Sequence, residues 1–582
     1  MVAYFSMEIG LEPDIPTYSG GLGVLAGDTL RSAADIGFSM IGITLLHRKG
    51  YFRQQLVDGQ QIEEPNHWNP EERLERIPES TAVTVEGRRV IVRAWRYLIS
   101  GVRRATVPVY LLDTDCPENS EFDRSLTDAL YGGDNRYRLC QEIVLGIGGF
   151  KLLHRLGYPL LNSYHMNEGH AALLSLAFLE DLLVDSHLGF ASLEDVEEVR
   201  HRCVFTTHTP IPAGHDCFPS LLVEQVLGGE RAEGLYVTNC CPDGNLNMTY
   251  LALRFSRYVN GVAMHHSEVS QHMFPGYPIH AITNGVHAGT WVSTPFKALF
   301  DRHVPPWITD NAYLRYAIGI SLEDILEAHT VAKRNLLSEI NNRTGIQLRE
   351  DVFTIGFARR AAAYKRADFL FQDPECIQRI AREQGPMQIL YAGKAHPKDD
   401  YGKDIIRRVT NQAKSVQDSN LGFLYLENYD INLGKLFVSG VDLWLNTPQR
   451  PMEASGTSGM KAALNGVPSL SILDGWWIEG CVEGVTGWGI GDENTAADLV
   501  QESRMMYDKL ENVIVPMFYR DPRHYATIMR WTIAMNGSFF HSQRMLRQYI
   551  QNAYSLQTSD MRQHALPRHQ RNTFRNHKRA RN

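Results

Sequence analysis

The pattern of apolar and polar positions near the start of the chain predicts a βαβ unit. Residues 4–8 form a short run of β-prone side chains. Apolar residues then recur at helical spacing between residues 24 and 36, and residues 38–46 form a second apolar run. Strand, helix and strand in this order are typical of two parallel strands joined by a crossover helix. The pattern therefore favours a parallel sheet.

The following segment predicts a mixture of strands and helices. Residues 81–95 read as a hairpin that turns at Glu86 and Gly87, and residues 106–112 read as a further strand. We expect these strands to interrupt the βαβ pattern. Helical periodicity returns over residues 136–156, and another helix is predicted to start around His170.

Strands and helices alternate most clearly in the second half of the chain. Five apolar runs are predicted strands: residues 352–358, 387–393, 421–427, 441–446 and 469–473. Helical patterns over residues 403–417 and 432–437 fall between them. Repeated strand–helix units with short loops predict a doubly wound α/β domain.

The two halves together predict an α/β chain of two domains. The N-terminal domain is expected at residues 1–290 and the C-terminal, Rossmann-like domain at 291–540, with the crossing near residues 284–306. Residues 541–560 read as a helix returning to the first domain, and residues 561–582 as a basic, solvated tail. Ligands of such sheets bind beyond the carboxyl ends of the strands, so the cleft between the domains is the expected active site.

Composition excludes several functional classes. The chain has 582 residues, 43% of them apolar and 21% charged, which is close to an average globular protein and excludes wholesale disorder. Lys and Arg number 58 against 66 Asp and Glu, a net charge of −8, which argues against binding nucleic acid. No apolar run is long enough to span a membrane, and no N-terminal secretory pattern is seen. Eight scattered cysteines without a C-x-x-C pair favour the cytoplasm.

The most specific chemical signal lies in residues 451–466. Five small residues in a row, 455–459, follow a predicted strand and open a helix, so their backbone amides can converge on an anion. Lys461 lies one turn further on, and a lysine near backbone amides and a helix N-terminus is expected to have a lowered pKa, as imine formation requires. These residues alone leave open a glycine-rich helix start with a surface lysine.

Two further segments favour anions. The loop of residues 19–23 has three glycines at the start of a predicted helix, although such loops are often only turns. Residues 359–365, R-R-A-A-A-Y-K, place three cations directly after a predicted strand, and Arg366 follows as a plainer surface cation. Three anion-favouring segments on two domains suit either a phosphorylated cofactor with a phosphate substrate or a sugar nucleotide.

Several motifs resemble those of the glycogen and starch (α-glucan) phosphorylases. E-A-S-G-T-S-G-M-K-A-A-L-N-G, residues 453–466, is similar to the family's pyridoxal phosphate lysine segment. Further matches follow in order along most of the chain: G-G-L-G at 20–23, N-E-G-H at 167–170, T-H-T at 207–209, T-N-G-V at 283–286, G-K-A-x-P at 393–397 and L-E-N-Y at 426–429. The resemblance is to a short, prokaryotic type of member. It implies the GT-B type glycosyltransferase fold, two Rossmann-like domains facing across a cleft.

The resemblance also implies a role for each matching residue. Lys461 would hold pyridoxal 5′-phosphate through an imine, in a pocket completed by Gly21, Gly23, Thr457, Ser458, Arg359 and Trp291. Arg360 and Lys365 would hold the substrate phosphate, and His208, mainly through its backbone carbonyl, would complete the catalytic set. The glucosyl unit would contact Asn284, Glu453, Ser455, Gly456, His170 and Glu168.

The implied reaction is phosphorolysis of a terminal α-1,4-linked glucose of glycogen, starch or maltodextrin, giving glucose 1-phosphate with retention. Most glycosidases use two carboxylates for such chemistry, whereas here a phosphate can supply the proton and then attack the sugar. Two adjacent phosphates then need several cations and backbone amides to offset their repulsion. We expect a monomer or homodimer without nucleic acid or membrane partners.

The chain also departs from the family pattern. Ala362 and Ala363 stand where many members have His and Glu, and the stretch that carries regulatory elements in long phosphorylases does not precede the first strand, so we expect no such regulation. Residues 474–480, D-G-W-W-I-E-G, look more like the glycogen and starch synthases. The alternatives are therefore a glucan synthase that uses a nucleotide sugar, and a catalytically silent glucan-binding relative.

The histidines offer a metal-site interpretation that we do not favour. His165, His170, His208, His215 and the neighbouring pair 265 and 266 are candidate ligands by residue type. None of their spacings forms a closed site with cysteine, so histidines that lie in the core or contact sugar are the better interpretation, and no metal is expected.

Overall fold

The computed structural model describes residues 1–158, 161–186, 192–211, 214–237, 240–492 and 498–555. The basic segment, residues 561–582, lies outside the described residues. The strands of the first half are β1 (Val2–Ser6), β2 (Met40–Leu45), β3 (Arg53–Val57), β4 (Gln60–Glu64), β5 (Glu75–Val85), β6 (Arg88–Ser100), β7 (Thr106–Asp113), β8 (Ser163–Asn167), β9 (Cys203–Thr206), β10 (Cys217–Pro219), β11 (Asn245–Asn247), β12 (Tyr258–Gly261) and β13 (His280–Ala281).

Nine of these strands form one sheet in the order β13-β12-β9-β8-β1-β2-β7-β6-β5. Neighbours from β13 to β7 are parallel, with Val2 of β1 opposite Met40 and Ser163, and β7-β6-β5 are antiparallel. The predicted βαβ unit is confirmed. The hairpin that turns at Glu86 and Gly87 and the further strand are confirmed as β5, β6 and β7. These strands interrupt the alternation of strands and helices, and they extend the sheet because β7 pairs with β2. Two antiparallel pairs, β3–β4 and β10–β11, lie apart from the sheet.

The second half contains a smaller, wholly parallel sheet. Its strands are β14 (Phe353–Ala358), β15 (Met387–Ala392), β16 (Leu421–Leu426), β17 (Leu443–Asn446), β18 (Ser469–Ile472) and β19 (Gly487–Ile490). The order is β16-β15-β14-β17-β18-β19, with every neighbouring pair parallel. The five predicted strands are confirmed to within two residues, and β19 was missed. The α/β fold class with two doubly wound sheets is therefore confirmed.

Helices cover both sheets. They are α1 (Gly21–Ile36), α2 (Glu121–Arg124), α3 (Asn135–Ile143), α4 (Gly149–Arg155), α5 (Leu173–Ser186), α6 (Leu193–Arg202), α7 (Ser220–Leu227), α8 (Gly229–Val237), α9 (Met248–Arg254), α10 (Met264–Met273), α11 (Ala288–Trp291), α12 (Thr294–His303), α13 (Leu322–Thr344), α14 (Pro374–Glu383), α15 (Asp400–Val416), α16 (Ile431–Gly440), α17 (Thr457–Leu464), α18 (Trp477–Gly480), α19 (Leu499–Lys509), α20 (Val515–Arg520), α21 (Pro522–Trp531) and α22 (Ser542–Tyr549). A π-helical turn, Val144–Gly148, joins α3 to α4, which matches the single helix predicted there. No described helix is long and apolar enough to cross a bilayer.

Each sheet is covered by its own hydrophobic core. Clusters of buried side chains lie on the two faces of the nine-stranded sheet, and a third surrounds the six-stranded sheet. The helix α22, near the end of the described chain, packs on the first sheet, because Met545, Leu546 and Tyr549 are buried among residues of β1 and α1. The helix α22 follows the C-terminal half in sequence but contacts the N-terminal half in space. The predicted domain boundaries stay a prediction.

Strand ends from both sheets bring the motif residues together. Glu168 follows β8, His208 lies two residues beyond β9, and Arg359 follows β14 directly. The segment with Glu453 and Lys461 comes after β17. Because carboxyl ends of parallel strands share one edge of a sheet, these side chains meet where the two sheets face each other.

The packing of α22 leads to a stability prediction. Leu546 is fully buried between α22 and the first sheet, so Leu546→Ala is expected to lower the free energy of unfolding by about 2–5 kcal/mol. Leu221→Ala is the matched control, because Leu221 is 80% exposed, and its effect should stay within about 0.5 kcal/mol. Chemical denaturation measures both. Equal effects would contradict the packing of α22.

Candidate active site

A cavity of about 650 Å³ lies between the two sheets. Fifteen of the sixteen predicted site residues line it: Gly21, Glu168, His170, His208, Asn284, Trp291, Arg359, Arg360, Lys365, Glu453, Ser455, Gly456, Thr457, Ser458 and Lys461. Gly23 does not line it and lies behind the loop, where a Cβ atom would come within 2.6 Å of the Glu8 carboxylate. Gly23 gives room for Glu8, and its expected place at the cofactor phosphate stays a prediction.

The glycine loop is shaped by that buried carboxyl. Glu8 accepts hydrogen bonds from the backbone N–H of Ser19 at 2.5 Å and Gly20 at 3.3 Å, and from the Tyr131 hydroxyl at 2.9 Å. Burial raises the pKa of Glu8 above its usual value. The helix α1 then begins at Gly21, whose N–H belongs to the first turn and has no carbonyl partner within the helix. The positive end of α1 therefore faces the cavity.

Lys461 lies on α17 and is only 8% exposed, so the alternative of a surface lysine is wrong. Its Nζ lies 3.9 Å from the centre of the Trp291 ring, and within the described ranges no carboxylate or carbonyl hydrogen-bonds to it. Burial lowers the pKa of Lys461 to about 8, with Asp28 opposing the shift. The predicted direction is right, but its main cause is burial rather than the helix end.

Asp28 supports the cavity wall from behind Trp291, and the motifs did not reveal it. It lies on α1, is fully buried, and its Oδ2 accepts hydrogen bonds from Trp291 Nε1 at 2.8 Å and from the backbone N–H of His287 at 3.1 Å. These contacts orient the indole ring against Lys461. Asp28 and Trp291 are more than 250 positions apart, so only the structure shows that they meet.

Two cations, Lys365 and Arg359, pair with one carboxylate on the other side of the cavity. Lys365 Nζ lies 2.9 and 2.8 Å from the two oxygens of Glu453, and Arg359 pairs with the same group. Burial by itself would raise the pKa of Glu453, but the charges of Arg359 and Lys365 outweigh it and lower the pKa to about 2. Glu453 is therefore ionised and occupies part of the predicted phosphate site.

Arg360 is open to the cavity and has no ion-pair partner among the described residues. Its charge interacts with the hydroxyl groups of Tyr364 and Tyr51. The pKa of Tyr364 is lowered although the ring is buried, because the charges of Lys365 and Arg360 outweigh burial. Arg366, in contrast, turns away and binds Glu502 and two backbone carbonyls. Its side chain is only 12% exposed, so the interpretation as an exposed surface cation is wrong.

The sugar-side residues are held in fixed positions. Asn284 donates to the Ser455 hydroxyl at 3.0 Å, which joins the two halves across the cavity. Glu168 has a left-handed backbone with φ +74°, and its carboxylate accepts from the His208 N–H at 2.7 Å. Burial raises the pKa of Glu168 to about 7 and lowers the pKa of His208 and His170 to about 3.

Neutral histidines limit the available chemistry. The lowered pKa of His208 and His170 keeps both rings neutral near pH 7, so they are poorly suited to general acid catalysis and better suited to bind polar groups. No group of three metal-ligating side chains is found in the part of the chain that the structure describes. The cavity thus combines a wall with several cations, a buried lysine with a lowered pKa, and groups that can hydrogen-bond to hydroxyls.

Comparison with known proteins agrees with this site. The model of the carbohydrate phosphorylase family matches residues 7–94 and 229–494. The chain is 40% identical to the maltodextrin phosphorylase of Thermococcus litoralis, over 95% of this chain and 70% of that protein. It is 37% identical to the glycogen phosphorylase of Mycobacterium tuberculosis over the same shares, and 36% identical to that of Aquifex aeolicus, over 95% of this chain and 86% of the relative.

The family match covers both sides of the cavity. It includes the glycine loop on one side and the segments with Arg359, Glu453 and Lys461 on the other. The chain therefore belongs to the carbohydrate phosphorylase family, as an enzyme of the α-glucan phosphorylase group, and the resemblance seen in its motifs is confirmed.

Proposed function

We propose that the protein uses pyridoxal 5′-phosphate and inorganic phosphate to release terminal α-1,4-linked glucose from glycogen, starch or maltodextrin as glucose 1-phosphate, with retention. One observation carries the proposal: the buried Lys461, which has no hydrogen-bond partner among the described residues, shares a cavity with Arg359, Arg360 and Lys365. An imine-forming amine and several phosphate-binding cations are the two requirements of this chemistry. The cytoplasm, and a monomer or homodimer, stay predictions.

The residues present fit the cofactor. Arg359 Nη1 is buried without a hydrogen-bond partner in the described structure, so the guanidinium has a donor to spare for a phosphate oxygen. Thr457 and Ser458 are the first residues of α17, where backbone N–H groups point outward, and Gly456 precedes them with φ +92°. Trp291 would cover one face of the ring beside Lys461. When bound, the cofactor would supply a second phosphate group able to hold and return a proton.

The chain's own residues bind and orient the reactants. Arg360 and Lys365 would hold the substrate phosphate, and their charge would stabilise the negative charge that two adjacent phosphates concentrate there. Asn284, Ser455 and the neutral His208 would bind glucosyl hydroxyls and exclude water from the sugar. Glu453 would turn to the sugar once phosphates take over its cations.

Neither alternative is favoured. A synthase that uses a nucleotide sugar has no need for a buried amine next to an indole ring, yet Lys461 is placed there. A silent relative would be expected to lose some of the phosphate-binding cations, yet Arg360, Lys365 and Lys461 all line the cavity. Release of glucose 1-phosphate from maltodextrin and phosphate by the purified enzyme is the direct test.

Loss of the Lys461 amine is expected to abolish cofactor binding. The wild-type protein with pyridoxal phosphate should show the absorbance band of the bound cofactor at the border of the ultraviolet and visible ranges, and Lys461→Ala should lack it and release no glucose 1-phosphate. Lys414→Ala on the distant helix α15 is the control and should keep the band. A colourless wild type that turns over a nucleotide sugar would favour the synthase instead.

Arg360→Ala is expected to impair phosphate use while the cofactor stays bound. Removing one transition-state donor costs about 2–4 kcal/mol, which corresponds to a fall in kcat/KM of roughly 30- to 1000-fold. Arg315→Ala, a change at an arginine stacked on Tyr316 outside the cavity, is the matched control. Steady-state rates at varied phosphate measure the effect, and an unchanged phosphate dependence would remove the assigned role.

The lowered pKa of Lys461 predicts how the rate of pyridoxal phosphate uptake by the cofactor-free protein depends on pH. Only the deprotonated amine attacks an aldehyde, so uptake of pyridoxal phosphate should rise about tenfold per pH unit below pH 8 and level off above it. Asp28→Asn removes the charge that opposes the shift, and should move the plateau to lower pH. Stopped-flow absorbance measures the rate. A rise continuing to about pH 10, as for an ordinary lysine, would contradict this assignment.

A further inference from the structure

The hairpin formed by β3 and β4 crosses from the first half of the chain to the second. It pairs with neither large sheet, and its buried residues contact the segments that follow β15 and β16. Gln54 is 1% exposed and Gln61 is 7% exposed, which is unusual for a glutamine. Neither side chain lines the active-site cavity.

The two glutamines form a closed hydrogen-bond network with the second half. Gln61 accepts from the backbone N–H of Ala395 and donates to its carbonyl, both at 2.9 Å, so one side chain binds both backbone groups. Gln54 donates to the Gly393 carbonyl and to Gln61, both at 2.9 Å, and accepts from the Asn428 N–H at 2.9 Å. Buried amides that are satisfied in this way fix the groups they bind.

The segment bound by the two glutamines, residues 393–395, lies next to the turn that carries Arg359 and Arg360. The Arg359 N–H donates to the Ala392 carbonyl at 3.1 Å, and the Ala361 N–H donates to the Lys394 carbonyl at 3.0 Å. Contact is so close at Gly393, where φ is +145°, that a Cβ atom would come within 1.8 Å of the Arg359 carbonyl oxygen. Arg360 lies between these two backbone contacts, so its position follows that of residues 393–395.

We propose that Gln54 and Gln61 are positioning residues for the substrate-phosphate site. The hairpin binds residues 393–395 through the two glutamines. Residues 392–394 in turn bind the backbone of Arg359 and Ala361. Through these contacts the N-terminal half sets the position of Arg360. The proposal rests on the proposed function, because it uses Arg360 as the phosphate ligand. It assigns the glutamines no contact with either reactant.

Gln61→Met tests this role with little change of volume. Loss of both bonds to Ala395 should raise the KM for phosphate at least tenfold, while the KM for maltodextrin stays within twofold and the cofactor content is unchanged. Gln60→Met is the matched control: Gln60 is the exposed neighbour on the same strand and should match wild type in every measurement. Gln61→Glu keeps the acceptor for the Ala395 N–H, so its KM for phosphate should lie between those of the wild type and Gln61→Met. Gln61→Glu replaces Gln61→Met in the test if the latter does not fold.

A second measurement does not depend on activity. In the wild-type protein the amides of Ala361 and Ala395 should be protected from hydrogen exchange, and in Gln61→Met they should exchange at least tenfold faster, with unchanged exchange in β17 and β18. Equal phosphate KM values for Gln61→Met and Gln60→Met, or equal exchange, would overturn the proposal. A wild type that releases no glucose 1-phosphate but shows the exchange difference would overturn the proposed function and keep the network.

Discussion

The structure depends on holding positive charge together inside a cavity. Arg359, Arg360 and Lys365 come within seven residues of one another, and repulsion among them is offset by one carboxylate, Glu453. Such a cluster costs free energy unless it is paired, so the backbone has to place the cations where Glu453 can reach two of them. The end of β14 holds this backbone on one side, and residues 393–395 hold it on the other.

The same constraint explains why two sheets are needed. Strand ends of the six-stranded sheet bring the cations, Glu453 and Lys461, whereas the nine-stranded sheet brings the start of α1, Glu168 and His208. The two halves are joined by direct bonds, such as Asn284 to Ser455 and the glutamines of the hairpin to residues 393–395. A site divided between two sheets keeps its geometry only if such bonds fix the position of one sheet relative to the other.

Much of this arrangement could be predicted from the sequence, because the signals are local. Apolar runs flanked by turns gave β14 to β18, and fifteen predicted site residues line the cavity. Short strands such as β9, β13 and β19 have two to four residues, too few to show a period. Asp28, Gln54 and Gln61 could not be found, since their partners lie between about 250 and 370 positions away along the chain. The motifs also could not show that Gly23 gives room for the buried Glu8, around which the glycine loop turns.

Glu453 has two different assigned partners, the cations that it contacts in the structure and the sugar that the family resemblance implies. Its carboxylate is ionised and pairs with Arg359 and Lys365, although the family resemblance gives it to the sugar. Phosphate dianions carry more charge than a carboxylate and bind the same cations through more oxygens, so they compete well for Arg359 and Lys365. If phosphates take these two cations, as proposed, the buried carboxylate of Glu453 needs other hydrogen-bond donors, and the hydroxyl groups of a sugar would supply them. Under the proposed function, phosphate binding would therefore favour sugar binding through this one side chain.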